Sequence, residues 1–170
     1  GSFTTLDVSE LLINEFMASN DGGESNNGNN WYPIANQIPG TSDDWIEILN
    51  TGASSLDLGG WHLTDDPADP TKWTFPSPTT LPSGGFLIVY ASGSGVPDAN
   101  GNLHTNFKLS SGGENLALIR PSGTIASEFA IGGEDFPSQD EDISYGLHPN
   151  TGSPVYFSSP TPGSANDQNG

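Results

Sequence analysis

The stretch from Asp44 to Ala91 decides the fold, and it contains four short segments: Asp44-Trp-Ile-Glu-Ile-Leu-Asn-Thr-Gly52, Leu56-Asp-Leu-Gly-Gly-Trp-His-Leu-Thr-Asp65, Lys72-Trp-Thr-Phe-Pro76 and Leu81-Pro-Ser-Gly-Gly-Phe-Leu-Ile-Val-Tyr-Ala91. Apolar and polar residues alternate in most of them, and Gly, Pro or Asn residues separate the alternating runs. Alternation with a period of two is typical of a half-buried strand, and Gly, Pro and Asn favour turns. The stretch therefore predicts an antiparallel β-sandwich.

The same pattern continues on both sides of this stretch. Leu11–Ala18 carries apolar groups on both faces, as in a strand that is covered on two sides. Phe86–Tyr90 is an unbroken apolar run, short enough to be a fully buried central strand. No window shows a helical period, so the sequence predicts an all-β fold of about eight or nine strands. The predicted strands are Leu11–Ala18, Trp45–Asn50, Leu56–Leu58, Trp61–Thr64, Lys72–Phe75, Phe86–Tyr90, Leu103–Leu109, Asn115–Arg120 and Thr124–Ala130.

The composition excludes several classes of partner. The chain has 170 residues, of which 21 are acidic and three are Lys or Arg, so its net charge is -18. This charge repels phosphate backbones and anionic lipid headgroups, which argues against nucleic acid and membranes as partners. No run approaches the roughly 18 apolar residues of a membrane span. The absence of cysteine excludes disulfides and thiolate metal sites, and the acidic, lysine-poor composition fits an extracellular setting.

One folded domain is the expected organisation, because a chain of this length buries roughly 70% of its unfolded surface. We assign residues 1–10 to the remainder of an expression tag and a linker, residues 11–166 to the sandwich, and residues 167–170 to a flexible C-terminal end. The Pro-rich stretch before that end is predicted to be a rigid exit from the domain. Residues 20–42 lack periodicity and are rich in Gly, Asn, Asp and Pro, which predicts a long loop with a functional role.

Aspartates concentrate in loops that are predicted to emerge at one end of the sandwich. If consecutive strands are antiparallel, the loops after Leu11–Ala18, after Trp61–Thr64, after Phe86–Tyr90 and after the strand that ends at Arg120 share this end. Clustered carboxylates with Asn and carbonyl oxygens are the ligands that Ca²⁺ takes. The fold requires no cofactor, and calcium is the candidate ligand of this end; the alternative is a solvated acidic rim. The candidate calcium ligands are Asp21, Asp43, Asp44, Asp65 and Asp66, with Asp69 and Asp98 nearby.

Three aromatic residues are least explained by the predicted core, namely Trp31, Tyr32 and Trp73. A flat aromatic surface on a β-sandwich stacks on sugar rings or anchors a protein partner. These three are therefore the candidate binding residues. The alternative for Trp31 and Tyr32 is that they fix the long loop onto the sandwich.

The sequence gives little support for catalysis. His62, His104 and His148 lie on separate predicted strands or loops, and no serine lies in a Gly-x-Ser-x-Gly nucleophile elbow. Adjacent acids such as Asp65 and Asp66 are usually solvated, although glycoside hydrolysis uses paired carboxylates. We therefore predict that the domain is not an enzyme.

Eight blocks follow one another along nearly the whole chain. They are Ile13-Asn-Glu-Phe-Met-Ala-Ser-Asn20, Asp44-Trp-Ile-Glu47, Gly59-Gly-Trp-His-Leu-Thr-Asp-Asp66, Trp73-Thr-Phe-Pro76, Leu103-His-Thr-Asn-Phe-Lys-Leu109, Gly113-Glu-Asn-Leu-Ala-Leu118, Ser144-Tyr-Gly146 and Pro160-Thr-Pro-Gly-Ser-Ala-Asn166. In this order they resemble the lamin tail domain, in the version found in large secreted bacterial proteins. The resemblance implies an immunoglobulin-like sandwich with no agreed catalytic residues. The chain lacks the basic surface of a chromatin binder, so the nuclear role of lamins is not carried over.

The resemblance implies a non-catalytic interaction or spacer module of an exported bacterial multidomain protein. Its expected location is extracellular or at the cell surface. Its expected partners are other modules of the same protein or a surface protein. The alternative function is a calcium-assisted carbohydrate-binding module, in which the candidate aromatic residues would contact a glycan.

Overall fold

The computed structural model describes residues 10–20, 43–129 and 135–168. Within these ranges the regular structure consists of twelve strands and no helix. In chain order they are β1 (Leu11–Met17), β2 (Asp44–Asn50), β3 (Leu56–Asp57), β4 (His62–Thr64), β5 (Trp73–Thr74), β6 (Thr80–Leu81), β7 (Phe86–Ala91), β8 (Leu103–His104), β9 (Ala117–Ile119), β10 (Ile125–Glu128), β11 (Ser144–Leu147) and β12 (Pro154–Phe157).

The strands form two main sheets and one short pair. The larger sheet has six strands in the order β12-β11-β1-β2-β7-β8, and the smaller has four in the order β10-β9-β4-β5. Strands β3 and β6 form the pair. Neighbouring strands are antiparallel except for β7 and β8, which are parallel. The predicted all-β, immunoglobulin-like sandwich is confirmed.

The main core lies between the two sheets. The six-stranded sheet contributes Phe16, Ile46 and Val89, and the four-stranded sheet contributes Leu63 and Leu118, all of them buried in one cluster. The Phe16 ring is central to it, with ring centroids 5.1 Å from Phe129 and 4.7 Å from Phe136. Tilted and edge-to-face aromatic pairs of this kind add to the free energy gained by burial.

The outer face of the six-stranded sheet is also buried, which agrees with the apolar pattern on both faces of β1 and β7. Met17, Trp45, Ile88 and Tyr90 form a second apolar cluster on this face, each of them at most 5% exposed. Side chains alternate between the two faces of a strand, so these residues point away from the main core. The larger sheet is therefore buried on both faces at this cluster.

Several strands differ from the sequence-based prediction. Leu103–Leu109 was expected to be one antiparallel strand, but only β8 is extended there, and it is parallel to β7. The ladder ends at Thr105, because its Oγ1 donates a local hydrogen bond to the carbonyl oxygen of Phe107, 2.7 Å away. Strands β6, β11 and β12 were not predicted, since they are short and contain or adjoin Gly and Pro.

Gly146 shows why β11 has an atypical sequence. It lies opposite Glu15 in the pairing of β11 with β1. A Cβ atom on Gly146 would lie 2.5 Å from the carbonyl oxygen of Asn14 and 2.9 Å from the Cα of Glu15. Only glycine allows this close approach of two backbones, so the residue that weakens the strand pattern is required by the pairing.

Residues 161–166, which we call the C-terminal segment, pack on the outer face of the six-stranded sheet. The backbone N–H of Gly163 donates to Glu47, and that of Thr161 donates to Glu15. The Asn166 side chain donates to the carbonyl oxygens of Asn14 and Leu147. The stretch predicted to be a rigid exit is thus hydrogen-bonded to the middle of the sandwich.

One end of the sandwich carries several aspartates. Met17 pairs with Trp45 and Asp44 pairs with Ala91, so the residues after β1 and β7 meet those before β2. We call this the acidic end and define it by residues 18–20, 43–44 and 92–98.

The first and last described residues lie at the opposite end. The N–H of Thr51, just after β2, donates to the carbonyl oxygen of Glu10. Strand β11 runs away from the acidic end, and His148 follows it. His148 Nε2 lies 3.3 Å from the carbonyl oxygen of Gln168. Glu10 and Gln168 are therefore both remote from the acidic end.

Candidate functional site

The acidic end contains a cleft of about 500 Å³, formed by the residues after β7 together with β8. The chain turns there through Gly93 and Gly95, whose φ angles of 81° and 74° favour glycine. The cleft is lined by Asp43, Ser92, Gly93, Ser94, Val96, Pro97, Asp98 and His104. Its volume lies in the range of ordinary ligand sites.

Asp98 is a fixed carboxylate in this cleft. Its Oδ1 accepts from the backbone N–H groups of Asn100 and Asn102, at 2.8 and 2.9 Å. Its Oδ2 accepts from the Asn102 side-chain amide at 2.8 Å. These donors, led by the Asn102 amide, hold the pKa of Asp98 below its usual value. Asp98 is therefore negatively charged and oriented by its own loop.

His104 lines the cleft, and Tyr90 lies beside it. Their ring centroids are 5.2 Å apart. His104 Nδ1 is 2.9 Å from Ser92 Oγ, and its Nε2 is 3.8 Å from Asp98 Oδ2, which is too long for a hydrogen bond. Neither His104 Nε2 nor the Tyr90 hydroxyl has a hydrogen-bond partner among the described residues, and both atoms are buried. Buried polar atoms without partners are rare in proteins, so His104 Nε2 and the Tyr90 hydroxyl are unusual in this respect.

The Ser92, His104 and Asp98 side chains do not form a catalytic triad. A triad needs a histidine that is hydrogen-bonded to the serine on one side and to the carboxylate on the other. The 3.8 Å between His104 Nε2 and Asp98 Oδ2 is too long for the second of these hydrogen bonds. Ser92 Oγ also accepts from the N–H of Ser94. His62 contacts Thr74 through its Nδ1, far along the sequence from these groups.

The candidate calcium ligands occupy different surroundings. Asp43 lines the cleft. Asp44 accepts from the N–H of Asn20, and burial raises its pKa to about 6. Asp65 forms an ion pair with Lys72 at 2.5 Å. The Asp66 carboxylate accepts from the N–H of Ala68, a local hydrogen bond within its own loop.

Within residues 10–20, 43–129 and 135–168, no group of three or more His, Asp or Glu side chains has an arrangement that could hold a metal ion. The fifth candidate ligand, Asp21, lies outside the described residues. The four described aspartates are thus divided between the cleft, an ion pair and local hydrogen bonds. Calcium binding stays a prediction.

The aromatic candidates are only partly described. Trp31 and Tyr32 lie outside the described residues. Trp73 is 7% exposed and packs in the main core, with its ring centroid 4.7 Å from that of Phe75. The interpretation of Trp73 as a surface binding residue is therefore corrected, because its indole presents no open face. The alternation in β5 places it inward, and the adjacent Thr74 is exposed.

A second polar centre, which the sequence did not single out, lies under the C-terminal segment. Glu15 and Glu47 are directly opposite in the pairing of β1 and β2, and both are 0% exposed. Glu15 accepts from Ser144 Oγ at 2.5 Å and from Thr161. Glu47 accepts from Asn14 Nδ2 at 2.8 Å and from the N–H of Gly163 at 2.5 Å. The donors enclose both carboxyl groups, so this is a closed structural network.

Burial raises the pKa of both glutamates. The hydrogen bonds from Ser144 and Thr161 offset part of the rise at Glu15. At Glu47 the pKa reaches about 8 despite its donors, and the neighbouring Glu15 carboxylate contributes to the increase. A signal was present in the sequence, since both glutamates share the strand face that carries Met17 and Trp45.

Comparison with known proteins identifies a family for this chain. Residues 5–133 match the family model described as Lamin Tail Domain. A search of curated proteins gives no match. The described residues form no helix long and apolar enough to cross a membrane. The matched range contains the whole cleft, whereas β11, β12 and the C-terminal segment lie beyond it.

Proposed function

Since this chain belongs to the lamin tail domain family, whose members are non-enzymatic and immunoglobulin-like, we propose that it is an interaction module that binds another protein through its acidic end. The observation that supports this proposal is the position of the cleft. It lies at the end of the sandwich opposite to Glu10 and Gln168. Asp43 and Asp98 line it, and neither carboxylate forms an ion pair with a lysine or an arginine among the described residues.

The setting that we propose is an exported bacterial multidomain protein, with the domain outside the cell or at its surface. The net charge of -18 and the lack of cysteine are compatible with that setting. The proposed partners are other modules of the same protein or a surface protein. The charge disfavours nucleic acid and anionic membranes.

A calcium-assisted carbohydrate-binding module is the second candidate. The acidic end supports it through Asp43 and Asp44, which provide carboxylate oxygens of the kind that calcium takes. With Trp73 in the core, the aromatic contacts of such a site would have to come from Trp31 and Tyr32.

The interaction proposal is tested by selecting binders from a random linear peptide library. We expect the selected peptides to lose binding to a Ser94→Trp variant, which fills the cleft without changing the charge. A Ser54→Trp variant, at an exposed position near the opposite end, is the matched control and should bind as the wild type does.

Two results would contradict the proposal. The first is a failure of the library to yield any peptide whose binding depends on the cleft. The second is retention of the domain on a glycan array with Ca²⁺ but not without it, which would establish the carbohydrate function instead.

A further inference from the structure

We propose that the cleft at the acidic end is a specific site for a cationic side chain, lysine or arginine, of an extended partner peptide. The inference rests on the proposed interaction function and names the chemistry that the partner must carry. It is supported by the charge of the cleft, by unpartnered polar atoms beside it and by its apolar wall.

The cleft carries two carboxylates that are not paired with a lysine or an arginine among the described residues. Asp43 and Asp98 both line it, and the side chain of Asp98 is 22% exposed. In the part of the chain that the structure describes, neither carboxylate forms an ion pair with a lysine or an arginine. Lys108 packs against Gly93 in the cleft wall, and its charge offsets a small part of the rise in the pKa of Asp44. The carboxylates thus attract a cation from another molecule.

One tautomer of His104 makes the polar atoms beside the cleft a group of hydrogen-bond acceptors. If Nδ1 carries the proton and donates to Ser92 Oγ, then Nε2 is an acceptor that faces the acceptor Asp98 Oδ2. In that tautomer the two atoms do not bond each other, in keeping with their 3.8 Å separation. A multivalent donor placed near them would satisfy both. Ammonium offers three N–H donors and guanidinium offers five.

Tyr90 provides an observation independent of the carboxylates. Its side chain is 5% exposed, and its hydroxyl has no hydrogen-bond partner among the described residues. Burial raises the pKa of Tyr90, and the charges of Asp98 and Asp43 raise it further, which places the hydroxyl in the field of both carboxylates. A buried hydroxyl without a partner is costly, and the Tyr90 ring lies beside His104, which lines the cleft.

The wall of the cleft suits the aliphatic part of a long cationic side chain. Val96 is 63% exposed, more than Ile125 or Tyr156, and Pro97 follows it in the lining of the cleft. Lysine and arginine pack their methylene groups on apolar surface while the charged group contacts polar atoms. A bare metal ion would gain nothing from this wall.

The test uses the whole domain and the peptide acetyl-Ala-Ala-Lys-Ala-Ala-amide, followed by ¹⁵N NMR. We expect the signals of residues 92–96, 98 and 102–105 to shift. We expect an arginine peptide to act similarly, and a norleucine peptide, which keeps the stem but lacks the charge, to bind at least about tenfold more weakly. Asp98→Asn should weaken binding by a similar factor, whereas Asp140→Asn, at an exposed position, should not.

A Tyr90→Phe variant separates binding from folding. Removing an unpartnered buried hydroxyl should leave the melting temperature unchanged or raise it, and it should weaken binding of the lysine peptide. A purely structural role of Tyr90 would lower the melting temperature without changing peptide affinity in the folded protein.

The possible results distinguish the inference from the proposed function. Equal binding of the lysine and norleucine peptides at the cleft would overturn the inference and leave the interaction function standing. Shifts confined to the neighbourhood of Glu10 and Gln168 would contradict both. If CaCl₂ or ZnCl₂ alone shifted the cleft signals and the lysine peptide did not, the cleft would be a metal site and the inference would be wrong.

Discussion

An Ile88→Asp variant should not fold. Ile88 lies in β7, between β2 and β8, and its side chain is 4% exposed in the cluster with Met17 and Trp45. A carboxylate there would be buried among apolar groups, at a cost of several kcal/mol, compared with a total stability of about 5–15 kcal/mol for a domain. Circular dichroism and thermal unfolding of the purified variant measure the effect.

The matched control is Ile125→Asp. Ile125 is in the edge strand β10 and is 52% exposed, so the same substitution should change the free energy of unfolding by only about 1 kcal/mol or less. An Ile88→Asp protein that is soluble, cooperative in unfolding and as stable as the Ile125→Asp protein would show that β7 is not a buried central strand.

The domain should become less stable as the pH rises from about 5 to 9. Glu47 has an ordinary pKa of 4.5, and in the folded protein its pKa is about 8. Between these values the folded state binds more protons than the unfolded state, so the free energy of unfolding falls with rising pH. The stabilising contribution is complete below pH 4.5 and is lost through pH 8. Its size is on the order of 5 kcal/mol, from a rise of about 3.5 pKa units.

A Glu47→Gln variant tests this assignment. Gln cannot ionise, so the fall in melting temperature between pH 5 and pH 9 should be much smaller than in the wild type. General repulsion in a chain of charge -18 also grows with pH. Glu128→Gln, an exposed position in β10, is therefore the control for removing one charge. If both variants keep the pH dependence of the wild type, the buried carboxyl pair does not cause it.

Sequence patterns predicted the longer strands well and the short ones poorly. Strands β1, β2 and β7 have six or seven residues, and their apolar pattern identified them within one residue at each end. Strand β11 has four residues, one of which is a glycine that the close approach to Asn14 requires. A local pattern cannot show such a requirement, because the requirement arises from a strand more than 120 positions away.

The candidate site was predicted in location but not in detail. Antiparallel strands placed Asp43 and Asp98 at one end, and both line the cleft there. Strand β8 has only two residues, which is too few for a pattern that predicts its parallel pairing with β7. That pairing brings His104 beside Tyr90. Trp73 was misjudged although Lys72–Phe75 alternates, since that alternation puts Trp73 on the same face as Phe75, and both are buried.

The buried pair of glutamates shows a different limit of sequence reasoning. Glu15 and Glu47 share a strand face with the apolar Met17 and Trp45, and this indicated a buried position. The C-terminal segment, more than 110 residues later in the chain, supplies the donors of Thr161 and Gly163. A local pattern does not show such long-range donors, so the network that satisfies the two carboxyl groups follows only from the tertiary structure.

The central claim is that the acidic end binds a partner through a cationic side chain beside Asp98. A double-mutant cycle tests it most directly: the affinities of the wild type and of Asp98→Asn are each measured for the lysine peptide and for the norleucine peptide. We predict a coupling free energy on the order of 1 kcal/mol or more, in the range of residues in contact. Additive effects within about 0.3 kcal/mol would contradict the claim, because they would show that Asp98 and the lysine do not meet.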